Sequence, residues 1–442
     1  MKGKKVAFHT LGCKVNTYET DAMEQMMLEQ GFEIVPFGEG ADIYVINTCS
    51  VTNMADHKSR QMLRRARKMN PEAVIVAVGC YVQADPQKAI EDTGADLVVG
   101  NNRKKDLVRI LNEYLEGKES DAVVDIGKEN EYETLELGTV MDHTRAYIKV
   151  QDGCNQFCSY CIIPYTRGRI RSRKVEDVVQ EIIRLARMGM KEVVLTGIHL
   201  SSYGKDWGEE NGLLHLIKKI HEIDGIERIR LGSLEPRIVT EEFAAALGNL
   251  EKICPHFHLS LQSGCDPVLK RMNRHYTTGE YLEGCERLRR VFKNPAITTD
   301  VIVGFPGETE EEFEQTRNFL QKVHFFEMHI FKYSPRKGTR AAAMPQQIKE
   351  AEKTKRSNAL LQLEKELSEE YRKSFIGKDM TILLESILHT EDGDYMLGYS
   401  MEYVKAAYPI KQGESETQYS NCMVTAKAVG MLKEGIVLLE NL

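Results

Sequence analysis

Residues 145–335 repeat one unit six times, a short apolar run and then a helical stretch of about 10 to 20 residues, and that pattern restricts the fold to parallel sheets. The runs are RAYIKVQDGC, EVVLTGIHL, RIRLGSLEP, FHLSLQSGC, ITTDVIVGFPG and EMHIFKYSP. Parallel neighbours need crossover connections, which the helices supply, and six units suffice for a partial or full parallel barrel. The first third alternates in the same way. KVAFHTLGC, DIYVINTC, AVIVAVGC and DLVVG are followed by helical patterns over residues 17–30, up to residue 69, from about residue 85 and from about residue 104. That block reads as an open, mostly parallel α/β sheet.

A polar, acidic stretch over residues 119–139 separates the two blocks as a linker or an edge hairpin. Residues 347–372 read as one long charged helix. After residue 377 the texture changes to TILLES, DYMLGYS, EYVKAAYP, NCMVTAKAVG and GIVLLENL, short strands with turns between them, as in a small all-β barrel. The expected organisation is an N-terminal α/β domain over 1–118, a linker over 119–139, a barrel with a trailing long helix over 140–373 and a small β-barrel over 374–442. No run approaches the roughly 18 apolar residues of a membrane helix. The start, MKGKKVAFHT, enters a strand without a signal-peptide core, so a cytoplasmic protein with no membrane partner is expected.

Ten cysteines in a reducing compartment point to metal ligands or nucleophiles rather than to a disulfide framework. Cys154, Cys158 and Cys161 form C-x3-C-x2-C directly after the first barrel run. Three soft thiolates on one short loop suit a 4Fe-4S cube and leave one iron open. A zinc site or incidental thiols are the competing readings, and zinc lacks a fourth Cys or His at a matching spacing. Cys13, Cys49 and Cys80 are far apart in the chain, yet each directly follows a predicted strand. Carboxyl ends of parallel strands form one edge, where these three converge. The alternative is that small apolar cysteines end three strands by accident. Two such trios imply two open irons and two chemical tasks. His199, His256, His258 and Cys254 lack ligand spacing and read as packing residues, and Cys265, Cys285 and Cys422 as unpaired structural thiols.

The C-x3-C-x2-C loop, with Tyr160 just before its last cysteine, resembles the radical S-adenosylmethionine superfamily. The resemblance implies S-adenosylmethionine chelated at the open iron of the Cys154, Cys158, Cys161 cluster and cleaved by one electron to a 5′-deoxyadenosyl radical. It also implies an electron donor such as flavodoxin or ferredoxin. Tyr160, Gly197 in LTGIHL and Gly304 in IVGFPGE are then candidate cofactor-binding residues, although ordinary βα turns use such glycines too. With Cys13, Cys49 and Cys80 and the C-terminal module, nearly the whole chain resembles the methylthiotransferase family. Its members combine an α/β domain, a partial (β/α)6 radical SAM barrel and an OB-like TRAM barrel, and they carry sulfur on a second 4Fe-4S cluster, here at Cys13, Cys49 and Cys80. TLGCKVN-x-YE and QDGCNQFCSYCIIPYTRGRIRSR most resemble the branch acting on N6-threonylcarbamoyladenosine at position 37 of tRNA, which receives a methylthio group at C2. The alternatives are isopentenyladenosine-37 of tRNA, an aspartate of a ribosomal protein, and a non-enzymatic iron-sulfur protein that binds RNA. A C–H carbon offers no useful acidity, so no general base is expected.

A net charge of -7 argues against indiscriminate nucleic-acid binding and leaves local patches. TRGRIRSRK carries Arg167, Arg169, Arg171, Arg173 and Lys174 without an adjacent acid and is expected to hold RNA phosphates; internal ion pairing is the alternative. HKSRQMLRRARK, residues 57–68, is a second basic surface or a solvated helix face. From Ser374 onward there are five lysines, no arginine and ten acidic residues, so only a local face near Lys405, Tyr408 and Lys411 is expected to touch RNA.

Overall fold

The computed structural model describes residues 3–118, 121–137, 144–391, 393–410 and 418–440. In the first block β1 (Lys5–Thr10), β2 (Glu33–Ile34), β3 (Ile43–Thr48), β4 (Val74–Gly79) and β5 (Leu97–Val99) pair in parallel in the order β2-β1-β3-β4-β5. The central strand β3 is buried at every position, which is why IYVINT is a continuous run: helices cover both faces. The Asn53–Met69 helix starts where Thr52 Oγ1 accepts the Ala55 N–H, and the Pro86–Thr93 helix where Asp85 accepts the Lys88 N–H.

The six repeated runs become β6 (Arg145–Asp152), with β7 (Arg171–Ser172) antiparallel on its edge, then β8 (Glu192–Gly197), β9 (Arg228–Leu231), β10 (His256–His258), β11 (Ala296–Val303) and β12 (Glu327–Lys332). β6, β8 and β9 are parallel, as are β10, β11 and β12. Single bridges, Ile229 to Ile253 and Leu234 to Leu259, join the two groups, so the strands curl into a partial barrel. The Glu350–Lys373 helix lies against β12. Residues 121–137 hold no helix or strand and thus no hairpin, yet they are not a loose tether. Leu135 and Leu137 are buried in the barrel's core cluster, and the Leu135 carbonyl accepts the Tyr18 hydroxyl at 2.5 Å.

β13 (Asp379–Thr390), β14 (Gly393–Ser400), β15 (Lys405–Pro409), β16 (Met423–Lys433) and β17 (Ile436–Leu439) close into a small barrel. It docks beneath the parallel strands, at their amino ends. Arg228, the first residue of β9, donates to the Tyr399 and Thr381 carbonyls, both at 2.8 Å, and Arg230 to the Met401 carbonyl at 2.8 Å. The Tyr403 ring lies 4.6 Å from the Arg230 guanidinium and 5.0 Å from that of Arg145. One member of the expected RNA face fails here: Tyr408 is buried in the small barrel's core, while Lys411 lies outside the described residues. No helix among the described residues is long and apolar enough to cross a membrane.

Candidate functional site

The carboxyl ends of β1, β3 and β4 bring Cys13, Cys49 and Cys80 together. Cys13 is the N-cap of the Lys14–Glu29 helix, Cys49 follows β3, and Cys80 opens the Cys80–Ala84 helix. The approach is close enough to require glycine at position 12, where φ is +105° and a Cβ would stand 2.9 Å from Cys49 Cβ and 3.0 Å from its Sγ. Burial and the neighbouring thiols push Cys49 up to about 12, while Cys13 is exposed. Thiols crowded in a low dielectric ionise together only when a cation binds them, as iron would.

Cys154, Cys158 and Cys161 occupy the loop after β6. Gly153, at φ +69°, lets that loop pass the Arg169 carbonyl, which a Cβ would meet at 1.8 Å. Burial, and then the Cys158 thiol, pushes Cys154 up to about 11 and also raises Cys161. Arg274 Nη1 donates to Cys158 Sγ at 3.2 Å and is steadied by the Tyr276 hydroxyl at 3.0 Å. A cavity of about 220 Å³ opens beside this trio, lined also by Ile198, His199, Glu235 and Arg274. His199 is therefore not merely a packing residue. Burial, with Arg274 and Lys205 nearby, lowers its pKa to about 3, so it faces the cavity neutral. Neither His199 nor Arg274 has a partner at a telling sequence interval, and the only signal for His199 is its place two residues after Gly197.

Tyr160 lines this cavity and packs edge-on against Phe305 at 6.4 Å. Gly197 stands just outside, where a Cβ would meet Gln151 Oε1 at 2.9 Å; that oxygen accepts the His199 N–H at 2.7 Å. Gly304 does not line it. Its left-handed turn makes room for the aliphatic stem of Lys353, which a Cβ at this position would strike, and its N–H donates to Glu308 at 2.6 Å.

The RNA role expected of the arginine run is overturned for three of its members. Arg167, Arg171 and Arg173 are buried. Arg167 donates to Glu19 at 2.5 and 3.0 Å, to Asn16 Oδ1 at 2.6 Å and to Cys80 Sγ at 3.3 Å, and lies 3.3 Å from Asp152. Arg171 lies 3.7 Å from Asp152, and Arg173 pairs with Glu181 at 2.5 Å. Buried charge needs such partners, and RNA cannot reach it. Of its arginines only Arg169 is exposed, with its guanidinium over Phe157 at 4.6 Å, and Lys174 is exposed beside them.

A second cavity, of about 190 Å³, is shared by the two cysteine loops. Val51 and Thr52, just past Cys49, face Tyr160, Cys161 and Ile163 across it, with Gln262, Asp300 and Phe331 on its other walls. Tyr160, Cys161, Ile163 and Gln262 line both cavities, so the two are neighbours.

A three-thiol loop at the carboxyl end of a parallel partial barrel, opening on its own cavity, is the architecture of radical S-adenosylmethionine proteins. Residues 148–320 match the Radical SAM superfamily, and residues 5–100 match the Uncharacterized protein family UPF0004. The chain is 42% identical over 405 residues to the threonylcarbamoyladenosine tRNA methylthiotransferase MtaB of Bacillus subtilis (strain 168), covering 91% of this chain and 90% of that one. It is 37% identical over 398 residues to the tRNA-2-methylthio-N(6)-dimethylallyladenosine synthase of Thermoanaerobacter sp. (strain X514), covering 87% and 83%. Among solved structures, the radical S-adenosylmethionine methyltransferase TsrM of Kitasatospora setae shares the fold, with TM-score 0.56, 16% identity and coverage of 74% and 73%. The chain belongs to the radical SAM methylthiotransferase family, an enzyme family that works with S-adenosylmethionine and 4Fe-4S clusters.

Proposed function

We propose that this enzyme adds a methylthio group to C2 of N6-threonylcarbamoyladenosine at position 37 of tRNA. In this reading Cys154, Cys158 and Cys161 hold one 4Fe-4S cluster, with S-adenosylmethionine in the cavity that His199 and Arg274 line. Cys13, Cys49 and Cys80 hold the other. When bound, the first pair supplies hydrogen abstraction and the second cluster supplies methylthio sulfur. The chain's own part is to fix both trios around one place for a base. Arg167 and Arg274 each give an N–H to one sulfur of a trio. The carrying observation is the cavity common to the Cys49 and Cys161 loops, because a carbon that loses hydrogen and gains sulfur must face both groups in turn. The branch rests on the relatives: by its name the Bacillus subtilis protein, at 42% identity, acts on threonylcarbamoyladenosine tRNA. A flavodoxin or ferredoxin would deliver the electron, in the cytoplasm.

Product analysis with reconstituted enzyme tests the division of labour. Cys13→Ala is expected to keep forming 5′-deoxyadenosine while leaving tRNA without the methylthio group; loss of both activities counts against it. Mass spectrometry of nucleosides from tRNA carrying threonylcarbamoyl or dimethylallyl groups identifies the substrate.

A further inference from the structure

The polar network behind Cys80 holds more positive charge than its carboxylates balance. Arg167, Arg171, Lys104 and Lys149 are buried there, and their ion pairs converge on two acids, Glu19 and Asp152. Glu133, also buried, is a third acid and attracts Lys149. Among the described residues, four buried cations therefore face three buried carboxylates in this network. A surplus charge out of reach of water calls for an anion that these side chains do not supply. Arg336, on the Cys49 side, is already paired with Asp56 and adds nothing to the surplus.

The surplus points at one sulfur. Arg167 directs Nη1 and Nη2 to Glu19, Asp152 and Asn16, and its remaining N–H, on Nε, to Cys80 Sγ at 3.3 Å. Asn101, fully buried, sets a second N–H against the same sulfur: Nδ2 lies 3.5 Å from Cys80 Sγ and donates to the Thr166 carbonyl at 2.7 Å. Its orientation is fixed, because Oδ1 accepts from Lys104 Nζ and a turned amide would present N–H to that ammonium. Two N–H groups on one sulfur, one of them charged, suit a thiolate that carries metal better than a neutral thiol, which accepts weakly.

Three thiolates on a doubly positive 4Fe-4S core leave one negative charge, which matches the surplus. We propose that Arg167 is the counter-ion of the cluster at Cys13, Cys49 and Cys80, and that Arg167 and Asn101 together set its reduction potential through Cys80. Both act through a ligand and are positioning residues. The arginine's charge does not titrate, and it favours added negative charge on the cluster, whether an electron or an anionic sulfur ligand. Hydrogen bonds to the cysteine sulfur act in the same direction. This inference rests on the reading that these three cysteines hold a cluster.

The test is an anaerobic titration with dithionite, followed by electron paramagnetic resonance, of the full chain carrying Cys154→Ala, Cys158→Ala and Cys161→Ala, so that only the second cluster is loaded. A charged hydrogen bond corresponds to roughly 10- to 100-fold in the one-electron equilibrium and a neutral one to roughly 2- to 10-fold, at about 59 mV for each tenfold. Arg167→Gln is expected to lower the potential by the larger factor and Asn101→Ala by the smaller, with Arg167→Lys recovering part of the loss and iron content unchanged throughout. An unmoved or raised potential in Arg167→Gln overturns the assignment. Where that variant folds poorly, wild-type potentials in both Arg167→Lys and Asn101→Ala overturn it equally. The first cluster, measured with Cys13, Cys49 and Cys80 replaced by Ala instead, is expected to keep its potential; an equal shift there overturns the assignment too and leaves Arg167 a structural joint. If the starting triple variant binds no iron, the cluster reading itself fails, and this inference with it.

Discussion

Arg167→Gln probes the joint between the two cysteine-bearing units. The guanidinium is fully buried, and its partners come from both sides: Asn16 and Glu19 from the Lys14–Glu29 helix, Asp152 from the end of β6. Burial by itself would raise the Glu19 carboxyl. Arg167, Lys104 and Lys149 outweigh burial and hold it well below the usual carboxylate range. Deleting one partner of a buried ion pair costs about 3–5 kcal/mol. Lys149 and Lys104 remain 2.7 and 3.0 Å from Glu19 after the substitution, so the low end, about 3 kcal/mol, is expected. The assay is the first urea transition of the holoenzyme, with Glu19→Gln closing a double-mutant cycle and a coupling of about 2 kcal/mol expected. The pH dependence has a definite sign. Because Glu19 is held low in the folded state, its contribution is complete at neutral pH and is lost as pH falls below its unfolded value of 4.5. In Arg167→Gln the folded carboxyl rises toward that value, so stability is lower at neutral pH and falls less steeply on acidification. A loss under about 1 kcal/mol, additive with Glu19→Gln, would refute the joint.

Arg228→Ala removes two donors to small-barrel carbonyls, each worth about 1–3 kcal/mol when left buried without a partner. Hydrogen exchange in β13 and β14 should then accelerate, and unchanged exchange would show that docking does not depend on this residue. On the Asn53–Met69 helix, Arg64, Arg65 and Lys68 are exposed. Replacing all three by Ala should lower tRNA affinity and reduce the slope of log K against log salt by about 2–3; an unaltered slope makes that face merely solvated.

The parallel architecture is legible in the sequence because both of its signals are local: runs buried on two faces, and helices long enough to cross over. The cysteine trios are legible for a related reason. In a parallel sheet every strand's carboxyl end lies on one edge, so "just after a strand" is already a spatial coordinate. Arg167 defeats that kind of reading. It lacks an acid nearby in the chain, yet Glu19, 148 residues away, meets it in space. A signal exists on the other side, since the Lys14–Glu29 helix buries Asn16 and Glu19 on the face that also buries Val15 and Ala22. Polar residues on an apolar face call for a buried partner. The acidic composition of residues 119–139 likewise conceals Leu135 and Leu137, whose burial depends on the barrel wall they meet.

How far apart the two trios stand is decided by contacts that neither trio makes. Arg336, in the loop after β12, pairs with Asp56 at 2.7 Å and donates to Ser50 Oγ at 2.8 Å, beside Cys49. Asn101 donates to the Thr166 carbonyl at 2.7 Å, and Arg167 ties Glu19 to Asp152. With locks on both flanks of the shared cavity, the two units cannot part to admit a substrate without breaking buried ion pairs. Entry is cheaper at the outer edge of the partial barrel. There β12 pairs with β11 alone among the described residues, and Phe331 and Lys332 are exposed at the cavity wall. A flipped-out base on a tRNA loop is thin enough to slide past that edge. A folded protein segment is not, unless it too presents a single side chain. An aspartate of a ribosomal protein is one such side chain, so the locks admit both, and it is the likeness to a tRNA methylthiotransferase, 42% identical, that favours RNA as the partner.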